Sequence, residues 1–154
     1  MNCRFTMAAH MLGMLACAER EERGPLTSEE MAGSIQTNPV VVRRLLRDLA
    51  QAGLVETKRG VGGGVSLARA ADDITLREVY EAVEECEELL GRYPSGPSQS
   101  CEIAPLVADY LEVVVARAET AFKESLAATT VAKMSREVGA RARRKPARRR
   151  ASGA

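Results

Sequence analysis

Apolar positions in the first eighteen residues recur every three to four: Met7, Met11, Met14 (or Leu15) and Ala18. That is the period of a helix with one buried side. A charged stretch containing Gly24-Pro25 breaks it. Leu26-Thr27-Ser28-Glu29-Glu30 then has the form of a helix start, with Thr27 or Ser28 able to cap and glutamates at the positive end of the dipole. This short helix is predicted to run to about Ile35. Gln36 and Thr37 make a turn, and Asn38-Pro39 opens a third helix with a capping side chain and proline at the first helical position. Over residues 39–52 the apolar stripe is Val42, Leu45, Leu46, Leu49 and Ala52. Val40, Arg43, Arg44 and Arg47 fall largely on the remaining surface, and Gly53 is a natural stop.

The period then changes. Residues 54–59 read as a strand, 60–64 as a glycine-rich tip and 65–68 as a returning strand. Asp72-Asp73 introduces Ile74-Thr75, where Thr75 can cap a helix carrying Leu76, Val79, Tyr80, Val83 and Leu90. Residues 91–100 are a turn-rich loop. From 103 to about 126 a long helix carries Leu106, Val107, Tyr110, Val114, Ala118, Ala121 and Phe122. That stripe is longer than the preceding head needs to cover itself, and a helix from a second copy is the simplest way to bury it. Beyond Met134 the composition turns basic and small, and disorder is expected there. The fold class is therefore mainly α with a small β-hairpin. The predicted division is a winged helix-turn-helix head over 1–85, a loop and possible sensor region over 86–102, a dimerisation helix over 103–133 and a basic tail over 134–154.

Charge changes this picture in one respect. The formal net charge is only +1, yet seven of the 22 basic residues follow Gly139 with no acidic residue among them. The rest of the chain holds 15 basic against 21 acidic residues. No stretch approaches the ~20 consecutive apolar residues of a membrane span. The apolar start is weakly charged and lacks a convincing cleavage site, so it reads as the amphipathic first helix of a cytoplasmic protein.

Helix, short turn, helix, glycine and then two strands with a glycine-rich tip is the winged helix-turn-helix order. A helix about 10–12 Å across matches the major groove of B-DNA. Arg43, Arg44 and Arg47 can flank the apolar stripe and reach the backbone, while Lys58 and Arg59 lie at the wing, where glycine backbone can approach phosphates or the minor groove. Asn38 can contact DNA, and it can equally serve only as a helix cap. An arginine-rich helix alone is commonly a solvated face, and a glycine-rich hairpin alone is commonly just a hairpin. Their order and spacing make the combination specific. The glycine run is not a phosphate loop, since Val65 stands where a dinucleotide fingerprint needs Gly or Ala and no Gly-Lys-Ser/Thr follows. No nucleophile, base and orienting acid can be assembled, so the chain is not read as an enzyme. A winged-helix interaction module without sequence-specific DNA binding is the competing function, kept open by the acidic balance of the body.

The run Thr37-Asn38-Pro39-Val40-Val41-Val42-Arg43-Arg44-Leu45-Leu46, with Ala52-Gly53-Leu54-Val55, Gly60-x-Gly62-Gly63-Gly64-x-x-Leu67-Ala68 and Ile74-Thr75-Leu76, resembles the Rrf2 family of bacterial regulators, nearest its YwnA-like branch. The resemblance covers about residues 1–126. It implies a homodimer, usually a repressor, that binds double-stranded DNA. The family's DNA contacts would here fall on the second motif helix and the wing, at Thr37, Asn38, Val40, Val41, Arg43, Arg44, Arg47, Lys58, Arg59, Gly62 and Gly63, with Ser28 a further candidate contact. Members that bind an iron–sulfur cluster carry three closely spaced cysteines before the dimer helix. This chain has two there, Cys86 and Cys101, with fourteen residues between them. The expectation is no cofactor and no metal. A thiol switch between Cys86 and Cys101 is the alternative input. Cys86 continues the Leu76, Val79, Val83 stripe and reads first as a buried helical thiol, whereas Cys101 falls at an exposed position. The acidic residues around both would slow oxidation. The effector is not legible, and the basic tail is expected to add non-specific DNA affinity through counterion release.

Overall fold

The computed structural model describes residues 3–84, 91, 95–98 and 100–144. In chain order the elements are α1 (Arg4–Arg20), α2 (Ser28–Ile35), α3 (Pro39–Gln51), β1 (Val55–Lys58), β2 (Gly64–Leu67), a 3₁₀ turn (Ala71–Asp73), α4 (Leu76–Val83), α5 (Ile103–Ala127) and α6 (Val131–Arg144).

The starts of the head helices are set locally. Thr27 and Glu30 form a reciprocal capping box on α2: the Glu30 amide donates to Thr27 Oγ1 at 3.2 Å and the Thr27 amide to Glu30 Oε2 at 2.7 Å. Thr75 and Glu78 repeat the device on α4, at 3.3 and 2.8 Å. Asn38 caps α3, its Oδ1 accepting the Val40 amide at 2.8 Å, with Pro39 next in line.

These helices enclose an aliphatic core. Met11 and Leu12 of α1, Met31 of α2, Val42, Leu45 and Leu49 of α3 and Val79 and Val83 of α4 are all almost completely buried. The β1–β2 hairpin is antiparallel, with Val55 opposite Leu67 and Lys58 opposite Gly64. Leu26 adds a third rung by exchanging backbone hydrogen bonds with Val65 at 3.0 and 2.8 Å, which ties the hairpin to the start of α2.

Two regions differ from the sequence reading. The helix begun at Thr75 ends at Val83, where Glu84 turns extended and accepts the Phe5 amide at 3.2 Å; Leu90 and Cys86 lie outside the described residues. The expected disorder from Met134 onward is replaced, through Arg144, by helix α6. Its basic composition hid a packing face: Val131, Ala132 and Ser135 are buried, at spacings of one and three to four. Small residues let the helix lie close on α1, and a side chain at Gly13 would meet the end of Met134 at 3.2 Å. The head is also closed from this end of the chain. The Leu76 amide donates to Thr129 O at 2.9 Å and the Val131 amide to Ile74 O at 2.8 Å, so the core is not confined to residues 1–85.

α5 runs for 25 residues without burying one of them. Its inner side meets the head through Phe122, whose ring lies edge-on to Tyr80 at 5.1 Å, and Tyr80 in turn meets Phe5 at 5.8 Å. Its other side exposes Ile103, Leu106, Val107, Tyr110, Leu111, Val113 and Val114. No helix among the described residues is long and apolar enough to cross a membrane.

Candidate nucleic-acid interface

The amphipathic pattern of α3 fixes what it shows to solvent. Val42, Leu45, Leu46 and Leu49 point inward, so Asn38, Val40, Arg43, Arg44 and Arg47 are exposed on the opposite side. Val40 is 47% exposed in the first turn, a small apolar surface of the kind that contacts a thymine methyl. Asn38 spends its oxygen on the cap and keeps its amide nitrogen for donation. Thr37 is half-buried in the turn, its amide donating to Ala32 O at 3.1 Å. Val41 is half-buried and packs against the core, away from the exposed face.

The three arginines splay apart. Arg43 faces α2 and the wing across a groove of about 470 Å³ that Thr27, Ser28 and Thr57 also line. Its guanidinium donates to Glu29 Oε1 at 3.0 Å and to Ser28 Oγ at 3.4 Å. The Glu29 carboxyl is held below the usual carboxylate range by its own backbone amide first, then by the Ser28 hydroxyl and the Arg43 charge. Arg44 faces the other way, into a cleft of about 530 Å³ with Arg4, Gln51, Val83 and Glu84, and has no ion pair with a described residue. Arg47 borders both openings and lies 3.6 Å from Asp48.

Asp48 is the anchor of this helix end. Arg4 reaches it from α1 at 2.7 Å and also donates to the Val83 carbonyl at 2.6 Å, joining α1, α3 and the end of α4 through one guanidinium. Sequence reasoning missed this trio, because a pair separated by 44 residues leaves no periodic trace.

The wing supplies the second part of the face. Lys58 and Arg59 are exposed and make no ion pair with a described residue. The chain reverses between them and β2 through Gly62, at φ +74, and Gly63, where a Cβ would sit 2.3 Å from the Lys58 carbonyl oxygen. Gly62 takes a backbone conformation that favours glycine and Gly63 leaves no room for a side chain, so the tip is a narrow ridge of backbone. Val61 stands fully exposed on it, a residue the sequence reading passed over although an isolated valine in a glycine run was the visible signal. The structure thus places α3, the start of α2 and the near strand of the wing around one groove, with cations on its borders.

The Arg43–Glu29 pair is exposed to solvent and screened by salt, so it holds Arg43 only weakly. Glu29→Gln removes a negative charge from this face and frees Arg43. DNA binding is expected to tighten modestly, most visibly at low salt. A titration showing weaker binding would mean that Glu29 positions Arg43 for its contact.

Metal donors are not gathered in this way. Among the described residues no three His, Cys, Asp or Glu side chains are placed to hold a metal ion. Cys3 precedes α1 and Cys101 precedes α5, both exposed, while Cys17 on α1 lies 3.2 Å from Ser135 Oγ on α6. These thiols do not fit a shared iron centre.

The model of the Rrf2 family, described as an iron-dependent transcriptional regulator, matches residues 1–137. YwnA of Bacillus subtilis (strain 168), an HTH-type regulator by name, is 32% identical over 130 residues, covering 84% of this chain and 92% of that protein. Among solved structures, T. potens IscR superposes with a TM-score of 0.68 at 21% identity, covering 90% of this chain and 87% of that one. CymR (YrzC), the global cysteine regulator of B. subtilis, superposes with a TM-score of 0.66 at 21% identity, covering 89% and 96%. At that identity the two structures show the fold, and the family match and YwnA show the kinship. The winged helix-turn-helix built from α2, α3 and the β1–β2 hairpin is thus that of a transcriptional regulator and not of an enzyme, and the chain belongs to the Rrf2 family.

Proposed function

We propose that the protein acts in the cytoplasm, on the nucleoid, as a homodimeric repressor that reads an operator with the outer face of α3 and the wing. The observation that carries this reading is the exposed side of α3 and the wing: Asn38, Val40 and Arg44 on α3, and Lys58, Arg59 and the Gly62-Gly63 ridge, present an apolar contact, donors and cations, and the three cations have no ion pair with a described residue. Arg44 is well suited to a base or phosphate, because no described residue pairs with it. The apolar outer side of α5 supports the dimer. Two reading heads on a twofold axis then match two half-sites, and a promoter covered in this way is closed to polymerase.

The test is binding of the purified, reduced protein to duplex from its own upstream region and to a scrambled duplex, across a salt series. Binding that favours the upstream duplex and weakens about fivefold to 150-fold in Arg44→Ala, the range of a lost 1–3 kcal/mol contact, is expected. Equal affinity for both duplexes and for the variant would leave a winged-helix interaction module. Within this reading Cys86 and Cys101 are the candidate input. Diamide would take two electrons and two protons from the pair as a disulfide forms. Release from the operator, abolished in Cys101→Ser, is the expected result.

A further inference from the structure

The last turn of α6 carries Arg141, Arg143 and Arg144, all exposed, and none makes an ion pair or hydrogen bond with a described residue. Glu137, one turn before Arg141, leaves it unpaired as well. Cations at a helix C-terminus complement its dipole, but that effect is confined to the last turn. Here the sequence continues with Lys145, Arg148, Arg149 and Arg150, and no acidic residue follows Glu137. The remainder of the chain, with 15 basic and 21 acidic residues, has the opposite balance.

The placement of this charge follows from the α1–α6 packing. The two helices run in the same direction: Met134 lies against Gly13, Ser135 against Cys17, and Gly139 beside Arg20. The end of α1 borders the wing, since Glu19 and Glu22 share a pocket of about 330 Å³ with Val65, Ser66 and Leu67 of β2. The residues of α1 that meet α6 (Gly13, Cys17, Arg20) and those that border β2 (Leu15, Glu19, Glu22) lie on opposite sides of the helix, so α6 leaves the body at the same end of α1 as the wing strand but across that helix from it. At about 1.5 Å per residue, its five residues after Gly139 project roughly 7 Å further.

We propose that this arginine arm is a second DNA contact, binding backbone phosphates that flank the stretch read by α3 and the wing. It rests on the DNA-reading assignment above and extends the footprint beyond it. Arginine suits the task through its planar fork, which matches phosphate oxygens two at a time. Each phosphate neutralised releases counterions and steepens the dependence of affinity on salt by about 0.9 in log–log slope. The arm carries no base specificity, so it raises affinity for any sequence of sufficient length.

The experiment compares the full-length protein with R141A/R143A/R144A on two duplexes from its upstream region. One is trimmed to the edges of the protected core, and the other is longer by about one helical turn, ten base pairs, at each end. Scrambled versions of both serve as controls. The wild type is expected to bind the longer duplex at least about tenfold more tightly, with a steeper salt slope. The alanine variant should lose most of that gain and R141E/R143E/R144E all of it, with affinity for the trimmed duplex unchanged. Equal wild-type affinity for both lengths, or an undiminished length gain in the variants, would overturn the arm. Failure of operator reading looks different: upstream and scrambled duplexes would then bind alike at both lengths, whatever the arm contributes.

Discussion

The double substitution L106E/V113E is expected to convert the protein to a monomer and to weaken operator binding by about 10²–10⁴-fold, the avidity lost when two linked half-sites are bound by separate molecules. Leu106 is 68% and Val113 61% exposed, and neither belongs to the core of the head. They lie with Tyr110, 71% exposed, on the side of α5 turned away from Phe122 and Leu126. A contiguous apolar side of this size is unusual on a monomer. Placing two charges on it opposes self-association without disturbing α1, α3 or α4. Sedimentation equilibrium at several concentrations, followed by titration with operator, checks both parts. A dimer that survives the substitutions would assign the interface elsewhere and leave the α5 face for another partner.

Leu49→Ala should give the largest loss of stability, about 2–5 kcal/mol. Leu49 is fully buried on the inner side of α3, in the same core as Leu12, Val79 and Val83. Removing its branched end leaves a cavity under the helix that presents Arg43, Arg44 and Arg47. For a chain of this size the loss corresponds to a fall in Tm of roughly 4–20 °C. The melt has to be taken at matched protein concentration, because association shifts the midpoint. A fall below about 2 °C would mean that the helix collapses into the space at little cost.

The readable parts of the fold were those written in adjacent residues. Thr27 with Glu30, Thr75 with Glu78, and Asn38 with Pro39 each fix a helix start within four positions, and all three starts agree with the structure. The turn at Gly62-Gly63 is legible for the same reason. The site was legible as a surface, since the stripe from Val42 to Leu49 dictates which side of α3 remains outside. Its internal ties were not. Arg43 bound to Glu29, and Arg4 bound to Asp48 and Val83, are meetings of distant segments, and each partner in isolation is an ordinary surface charge. α6 was obscured by composition: Val131, Ala132 and Ser135 form a valid helical face, but small residues among arginines carry little hydrophobic signal.

The hydrogen bonds from Leu76 to Thr129 and from Val131 to Ile74 also bear on how the protein is made. Val131 is fully buried in the same core that holds Met11 and Leu45. A nascent chain on the ribosome that has emerged only as far as α4 therefore lacks one wall of its head, with side chains there still facing water. That wall arrives only after all of α5 has been synthesised. The head is consequently completed only once the start of α6 has joined it.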